Sequence, residues 1–184
     1  NDVFLGAQNV ASGTRAKGFV WHGFAHTVEA TDLKIVNPSK GLHVYKDGND
    51  MGYNPNIAAF HNLQVDFASE ETALLSAIRR AKFDSCYFHS AGTTGYSGIL
   101  AEKDAALSAP SGDLAFAKCS FSGAYENQLR LSCDTVFITH NTILPVVNPL
   151  GTMVSLQNGA RRIVVDKNVI GSHLEYTALS TQTG

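Results

Sequence analysis

Apolar and polar side chains alternate in six short blocks along the chain, among them Phe60-His61-Asn62-Leu63-Gln64-Val65 and Phe83-Asp84-Ser85-Cys86-Tyr87-Phe88. Set beneath one another, the blocks place Leu33, Leu63, Cys86, Cys119, Asn141 and Asn168 in one column, with spacings of 30, 23, 33, 22 and 27 residues. Two positions after this anchor stand Ile35, Val65, Phe88, Phe121, Ile143 and Ile170, all apolar. Three before it stand Ala30, Phe60, Phe83, Phe116, Ile138 and Val165, and five before it Val28, Ala58, Ala81, Leu114, Val136 and Ile163. The residues between are mixed and mostly polar. A side-chain period of two predicts strands with one buried face. Columns recurring roughly every 20 to 30 residues predict a solenoid, in which each unit buries its apolar face only by stacking on the next.

A second strand per unit is legible after a variable gap, in Gly41-Leu42-His43-Val44-Tyr45, Ala73-Leu74-Leu75-Ser76-Ala77, Gly98-Ile99-Leu100-Ala101, Gln128-Leu129-Arg130-Leu131 and Thr152-Met153-Val154-Ser155-Leu156. The gaps hold turn residues such as Asn37-Pro38-Ser39-Lys40 and Asn148-Pro149-Leu150-Gly151, so each coil turns at least twice. The predicted fold is all-β: a single-stranded, right-handed parallel β-helix of about six to seven coils. Leucine-rich and ankyrin units need helices, and the best helical stretch, 101–107, reads as a loop insertion in the longest coil. An antiparallel β-sandwich is the competing architecture, but it gives no reason for identical columns to recur. Asn141 and Asn168 put amides in an apolar column, which predicts a ladder bonding them to each other and to the backbone of the bend.

One elongated domain is expected over residues 1–184, with 1–27 as a degenerate first coil and 172–184 as an irregular tail. Because the chain begins at Asn1 without Met, a segment excised from a longer protein is expected. A hydrophobic content of 44% against 16% charged residues can support a continuous core. A net charge of -2 with no Lys/Arg run gives no reason to expect nucleic acid or an anionic membrane as partner. Three cysteines do not make a disulfide scaffold. Cys86 and Cys119 should occupy consecutive rungs of one inward column, and Cys133 should lie unpaired in a junction.

With the columns in place, the chain resembles the pectate-lyase-like superfamily of right-handed β-helices, on blocks such as Thr135-Val136-Phe137-Ile138-Thr139-His140-Asn141-Thr142-Ile143 and over roughly residues 28–171. Among its members it is most similar to bacteriophage tailspikes and tail-fibre depolymerases. That resemblance implies a homotrimer, located in the virion tail or outside the cell, that grips bacterial surface polysaccharide. The apolar outward residues Phe137, Leu144, Val164 and Val169 are candidates for the contact between copies. The catalytic signatures of pectate lyases, polygalacturonase-like hydrolases and alginate epimerases are missing. So are zinc spacing, a P-loop, a Rossmann fingerprint and Gly-x-Ser-x-Gly. No cofactor and no metal is expected; Asp47, Asn49 and Asp50 offer oxygen ligands, but the rest of a calcium loop is absent.

Register supplies the candidate chemistry. Outward positions should place His61 beside Asp84 and Asp66 beside His89, with Tyr87 between, because neighbouring rungs lie about 4.8 Å apart. Asp66 and Asp84 would suit glycoside hydrolysis, which needs two carboxylates flanking the scissile bond. His61, His89 or Tyr87 as a base would suit β-elimination from a uronic acid. Substrate-binding candidates are Asp47, Asp50 and Tyr53 in a loop that joins acids to an aromatic ring, and Trp21 in the most aromatic stretch of the chain. The competing account is that polar outward residues merely solubilise a sheet, that the 47–54 loop is solvated, and that Trp21 belongs to the buried second strand of the first coil. Two functions follow: a polysaccharide-binding module, with hydrolase or lyase activity left open, or a non-catalytic structural or adhesive shaft.

Overall fold

The computed structural model describes residues 3–6, 17–22, 27–45, 57–76, 78–102, 111–157, 161–171 and 179–181. The chain lays down β1 (Val3–Gly6), β2 (Phe19–His22) and β3 (Thr27–Thr31), then β4 (Leu33–Val36), β5 (Leu42–Tyr45) and β6 (Ile57–His61). The next turns are β7 (Gln64–Ala68), β8 (Ala73–Ser76) and β9 (Arg80–Asp84), then β10 (Tyr87–Ser90), β11 (Ile99–Glu102) and β12 (Ser111–Ala117). β13 (Ser120–Ser122) leads into the long β14 (Asn127–Thr139). After it come β15 (Thr142–Ile143), β16 (Thr152–Gln157), β17 (Arg162–Asp166), β18 (Val169–Ile170) and β19 (Leu179–Thr181). All ladders between them are parallel, which disposes of the sandwich. The fold is a right-handed parallel β-solenoid with no helix among the described residues.

Three sheets wrap the core. The first runs β1-β4-β7-β10-β13-β15-β18. The second stacks β2, β5, β8, β11, the first half of β14, β16 and β19; the third stacks β3, β6, β9, β12, the second half of β14 and β17. Each block that reads as one strand is therefore two, bent at the residue before the anchor. That residue is left-handed in all six blocks: Asp32, Asn62, Ser85, Lys118, His140 and Lys167 have φ between 53° and 57°. The bend is held from outside as well, since the Asn62 N–H donates to the Asp84 carbonyl (3.1 Å) and the Ser85 N–H to that of Ala117 (2.9 Å).

The predicted columns stack as rungs. Phe60, Phe83 and Phe116 lie face to face at 5.3 and 5.1 Å, and Phe88 on Phe121 at 5.4 Å. The turns that begin at Leu33, Leu63, Cys86 and Cys119 have buried inner residues on all three sheets, which makes about four closed turns where the repeat predicts six to seven coils. The strands beyond them keep register but are less enclosed: Val28 and Ala30 are half-buried, and Ile163 and Val165 are exposed. The second strands read from the sequence are β5, β8, β11, the start of β14 and β16. Ala101 and Glu102 of the suggested helical insertion belong to β11, and 103–110 lies outside the described residues.

At the anchor, Asn141 and Asn168 form the expected ladder: Asn141 Nδ2 donates to Asn168 Oδ1 (3.0 Å) and to the Phe116 carbonyl (3.0 Å), and its Oδ1 accepts from the Cys119 N–H (2.8 Å). The cysteines follow the same scheme with a weaker donor, Cys86 Sγ reaching the Phe60 carbonyl at 3.5 Å and Cys119 Sγ that of Phe83 at 3.6 Å. All three cysteines are free and buried. A hydrogen bond with Cys86 and burial push the Cys119 thiol up, and burial pushes Cys133 to about 12, so neither supplies a thiolate nucleophile.

The second sheet carries a pH-sensitive position. His43 on β5 is in register with Leu74, and burial, followed by the charges of Lys17 and Lys40, lowers its pKa to about 4. Lys40 is itself tied to Glu70 and to Glu71 (2.9 Å) across the coil; burial opposes its charge, but these two carboxylates hold its pKa above the ordinary value. An unfolded histidine binds a proton that folded His43 refuses. Its contribution to stability is therefore complete above the ordinary histidine range and is lost as pH falls through about 4. Urea titrations at neutral and acid pH should show His43→Leu shrinking the parent's acid loss by about 1–2 kcal/mol, a figure discounted for partial exposure. An acid loss unchanged by the substitution would remove His43 from the account.

Candidate functional site

The outer face of the third sheet presents two polar rows on β3, β6 and β9. Register places Glu29, Ala59 and Lys82 in one row and Thr31, His61 and Asp84 in the other. Ala59 is the smallest side chain among these six and sits between the charged Glu29 and Lys82, so a shallow open depression of about 270 Å³ forms over it. Glu29, Thr31, His61, Lys82 and Asp84 rim it, with Ala30, Ala59 and Phe60 beneath. His61 Nδ1 lies 3.1 Å from Asp84 Oδ2, with 56% of the His61 side chain and 29% of the Asp84 side chain exposed. A carboxylate at Nδ1 favours the tautomer with a proton there and leaves Nε2 as an acceptor. The arrangement can take a proton at Nε2, pair an anionic group at Lys82 and accept hydroxyl hydrogen bonds at Glu29.

The second predicted pair also forms. His89 Nδ1 lies 3.0 Å from Asp66 Oδ1, linking β10 to β7 on the first sheet. Tyr87 lies two residues along β10, its ring 6.1 Å from that of His89. The two pairs are on different sheets with the left-handed bend between them, so Asp66 and Asp84 do not share a face. The bend, invisible in the alternation because polar residues occupy both the outward positions and the bend itself, is the physical reason the single-face arrangement does not arise.

Trp21 lies on β2, in register with Val44 of β5. Asp47, Asp50 and Tyr53 lie outside the described residues, as does the calcium-ligand suggestion built on Asp47, Asn49 and Asp50. Among the described residues no group of three or more His, Cys, Asp or Glu side chains is arranged to hold a metal ion. No described helix is long and apolar enough to cross a membrane.

The sequence reading missed Glu29, Ala59 and Lys82. Their signal was present four positions before the anchors Leu33, Leu63 and Cys86, one outward column beyond those that were read. No protein-family model, curated protein or solved structure matches the chain.

Proposed function

We propose that this β-solenoid recognises an acidic bacterial surface polysaccharide along the outer face of its third sheet. The observation that carries the reading is the depression over Ala59, where Lys82, Glu29 and the His61–Asp84 pair stand on three stacked strands. A stacked sheet fixes these groups at a repeat of about 4.8 Å, and an open, shallow, polar surface suits an extended chain of hydroxyls and carboxylates better than an enclosed small molecule. Lys82 pairs a sugar carboxylate, Glu29 accepts from hydroxyls, and His61, oriented by Asp84, is the group placed to take a proton from a carbon beside that carboxylate. The chain is then a segment of a tailspike-like protein of a virion tail, or of another extracellular protein. Exposed Leu144 and Val169 belong to the surface that a homotrimer covers.

Calorimetric titration with a panel of acidic capsular polysaccharides tests this directly. Lys82→Ala should weaken binding about ten-fold, the loss of one charge-assisted contact, and His61→Ala should act on the same ligand. Turnover, followed as absorbance from unsaturated uronate or as new reducing ends, should disappear in His61→Ala if the site is catalytic. Binding without turnover identifies an adhesive shaft, and light scattering of the same samples distinguishes trimer from monomer. Affinity for every acidic polysaccharide unchanged by both substitutions would end the proposal.

A further inference from the structure

The first sheet carries an aromatic cluster for which the acidic-ligand reading has no use. In β7 the ladder with β10 runs His89 to Asp66 and then Ser90 to Ala68, so Phe67 is the extra residue of a β-bulge. Its φ is +55°, a region that L side chains with bulky rings seldom enter. The residue at the same offset one coil earlier is Asn37, also left-handed at 54°, and asparagine is among the residues that tolerate this conformation. Phe67 gains little burial in exchange, since 46% of it is exposed. Backbone strain that displays an aromatic ring instead of burying it points to a use for the ring.

The ring is part of a fixed assembly. Phe67 packs on the His89 imidazole with centroids 4.6 Å apart, and Asp66 Oδ1, 3.0 Å from Nδ1, fixes the orientation of that imidazole ring. Gly123, at φ +76°, makes room for it: a Cβ there would stand 2.7 Å from His89 Cδ2. Tyr87 meets the same imidazole edge-on. Around these rings the outward positions in register are Gln64 and Ser120 beside Tyr87, and Asp66 and Ser122 beside His89. Uncharged hydrogen-bonding groups here outnumber the charged Asp66 and the Lys34 beyond Gln64 on β4, whereas Glu29, Arg80, Lys82 and Asp84 stand outward on the third sheet.

We infer that Phe67, His89 and Tyr87 form a stacking subsite for an uncharged pyranose ring, with Asp66, Gln64, Ser120 and Ser122 placed for its hydroxyls. Exposed aromatic faces take the apolar C–H face of a sugar, and the polar rim takes its edge. The inference deepens the polysaccharide reading by adding a neutral-sugar site around the bend from the acidic one, and it rests on that reading only in the class of ligand. Asp66, His89 and Tyr87 then bind instead of performing acid–base chemistry.

The test uses defined neutral hexasaccharides of β-linked glucose, xylose and N-acetylglucosamine, followed by titration and by saturation-transfer NMR. At least one should bind, with transfer centred on the aromatic protons. Phe67→Ala and Phe67→Gly should each weaken it ten-fold or more, Phe67→Trp should keep it, and Lys82→Ala should leave it unchanged. Phe67→Gly relieves the positive φ, so its melting temperature should equal or exceed the parent's while binding is lost. A purely structural role would give the reverse, a lower melting temperature with binding intact. No binding by any hexasaccharide, or binding indifferent to Phe67→Ala, overturns the inference. Loss of acidic-glycan binding in Lys82→Ala, together with no binding of any neutral hexasaccharide, would leave the third-sheet reading standing and remove this one.

Discussion

Phe83→Ala should cost about 3–5 kcal/mol, the range for emptying a fully buried aromatic site. Phe83 has no solvent exposure, is stacked on Phe60 and Phe116 at 5.3 and 5.1 Å, and meets the edge of Phe88 at 5.7 Å. The side chains around the void belong to rungs whose strand spacing is fixed by backbone hydrogen bonds, so they cannot close over it. In a solenoid each coil is stabilised chiefly by its two neighbours, and Phe83 lies between the coils of Phe60 and Phe116. The loss should therefore fall at the two interfaces that Phe83 makes and broaden or split the urea transition. Phe137→Ala is the matched control: Phe137 is on the third sheet too, but on its outer side beside Arg162, where truncation should cost under about 1 kcal/mol. Equal losses in the two variants would mean that inside and outside have been assigned wrongly.

That assignment was legible because side-chain period two and a recurring column need no knowledge of backbone direction. Anchor, +2, −3 and −5 positions all became rungs, and the contacts His61–Asp84 and Asp66–His89 followed from register alone. The bend was legible only at the Asn141–Asn168 ladder, and not as a change of face. A left-handed residue leaves no mark on hydropathy, and Lys118 and Lys167 are not residues that announce a turn, although Asp32, Asn62 and Ser85 at the same offset are. Missing it placed two sheets on one face and joined Asp66 to Asp84. The bulge at Phe67 was hidden for a related reason: an extra apolar residue inside an alternating strand reads as part of the core. Only its alignment with Asn37 shows that it must turn outward. Closed turns number fewer than repeats because enclosure needs a neighbour on both sides, a property of stacking that pattern cannot count.

Asn141→Ala should cost about 2–4 kcal/mol, more than any surface change, because it strands backbone groups and not merely a side chain. Asn141 is 1% exposed; its Oδ1 serves the Cys119 N–H and its Nδ2 the Phe116 carbonyl, and neither has water to turn to when the amide is gone. Asn168→Ala, nearer the end of the stack and half-buried, should cost less, although it too leaves a carbonyl, that of Ile138. Asn141→Cys sharpens the argument, since Cys119 and Cys86 already fill this column one and two rungs away. A thiol can reach the Phe116 carbonyl as those two reach Phe60 and Phe83, but it offers the Cys119 N–H only a weak acceptor. Its loss should fall between those of the parent and the alanine variant in chemical denaturation. If alanine and cysteine prove equally mild, below about 1 kcal/mol, the column is filled for volume alone and the ladder is incidental to stability.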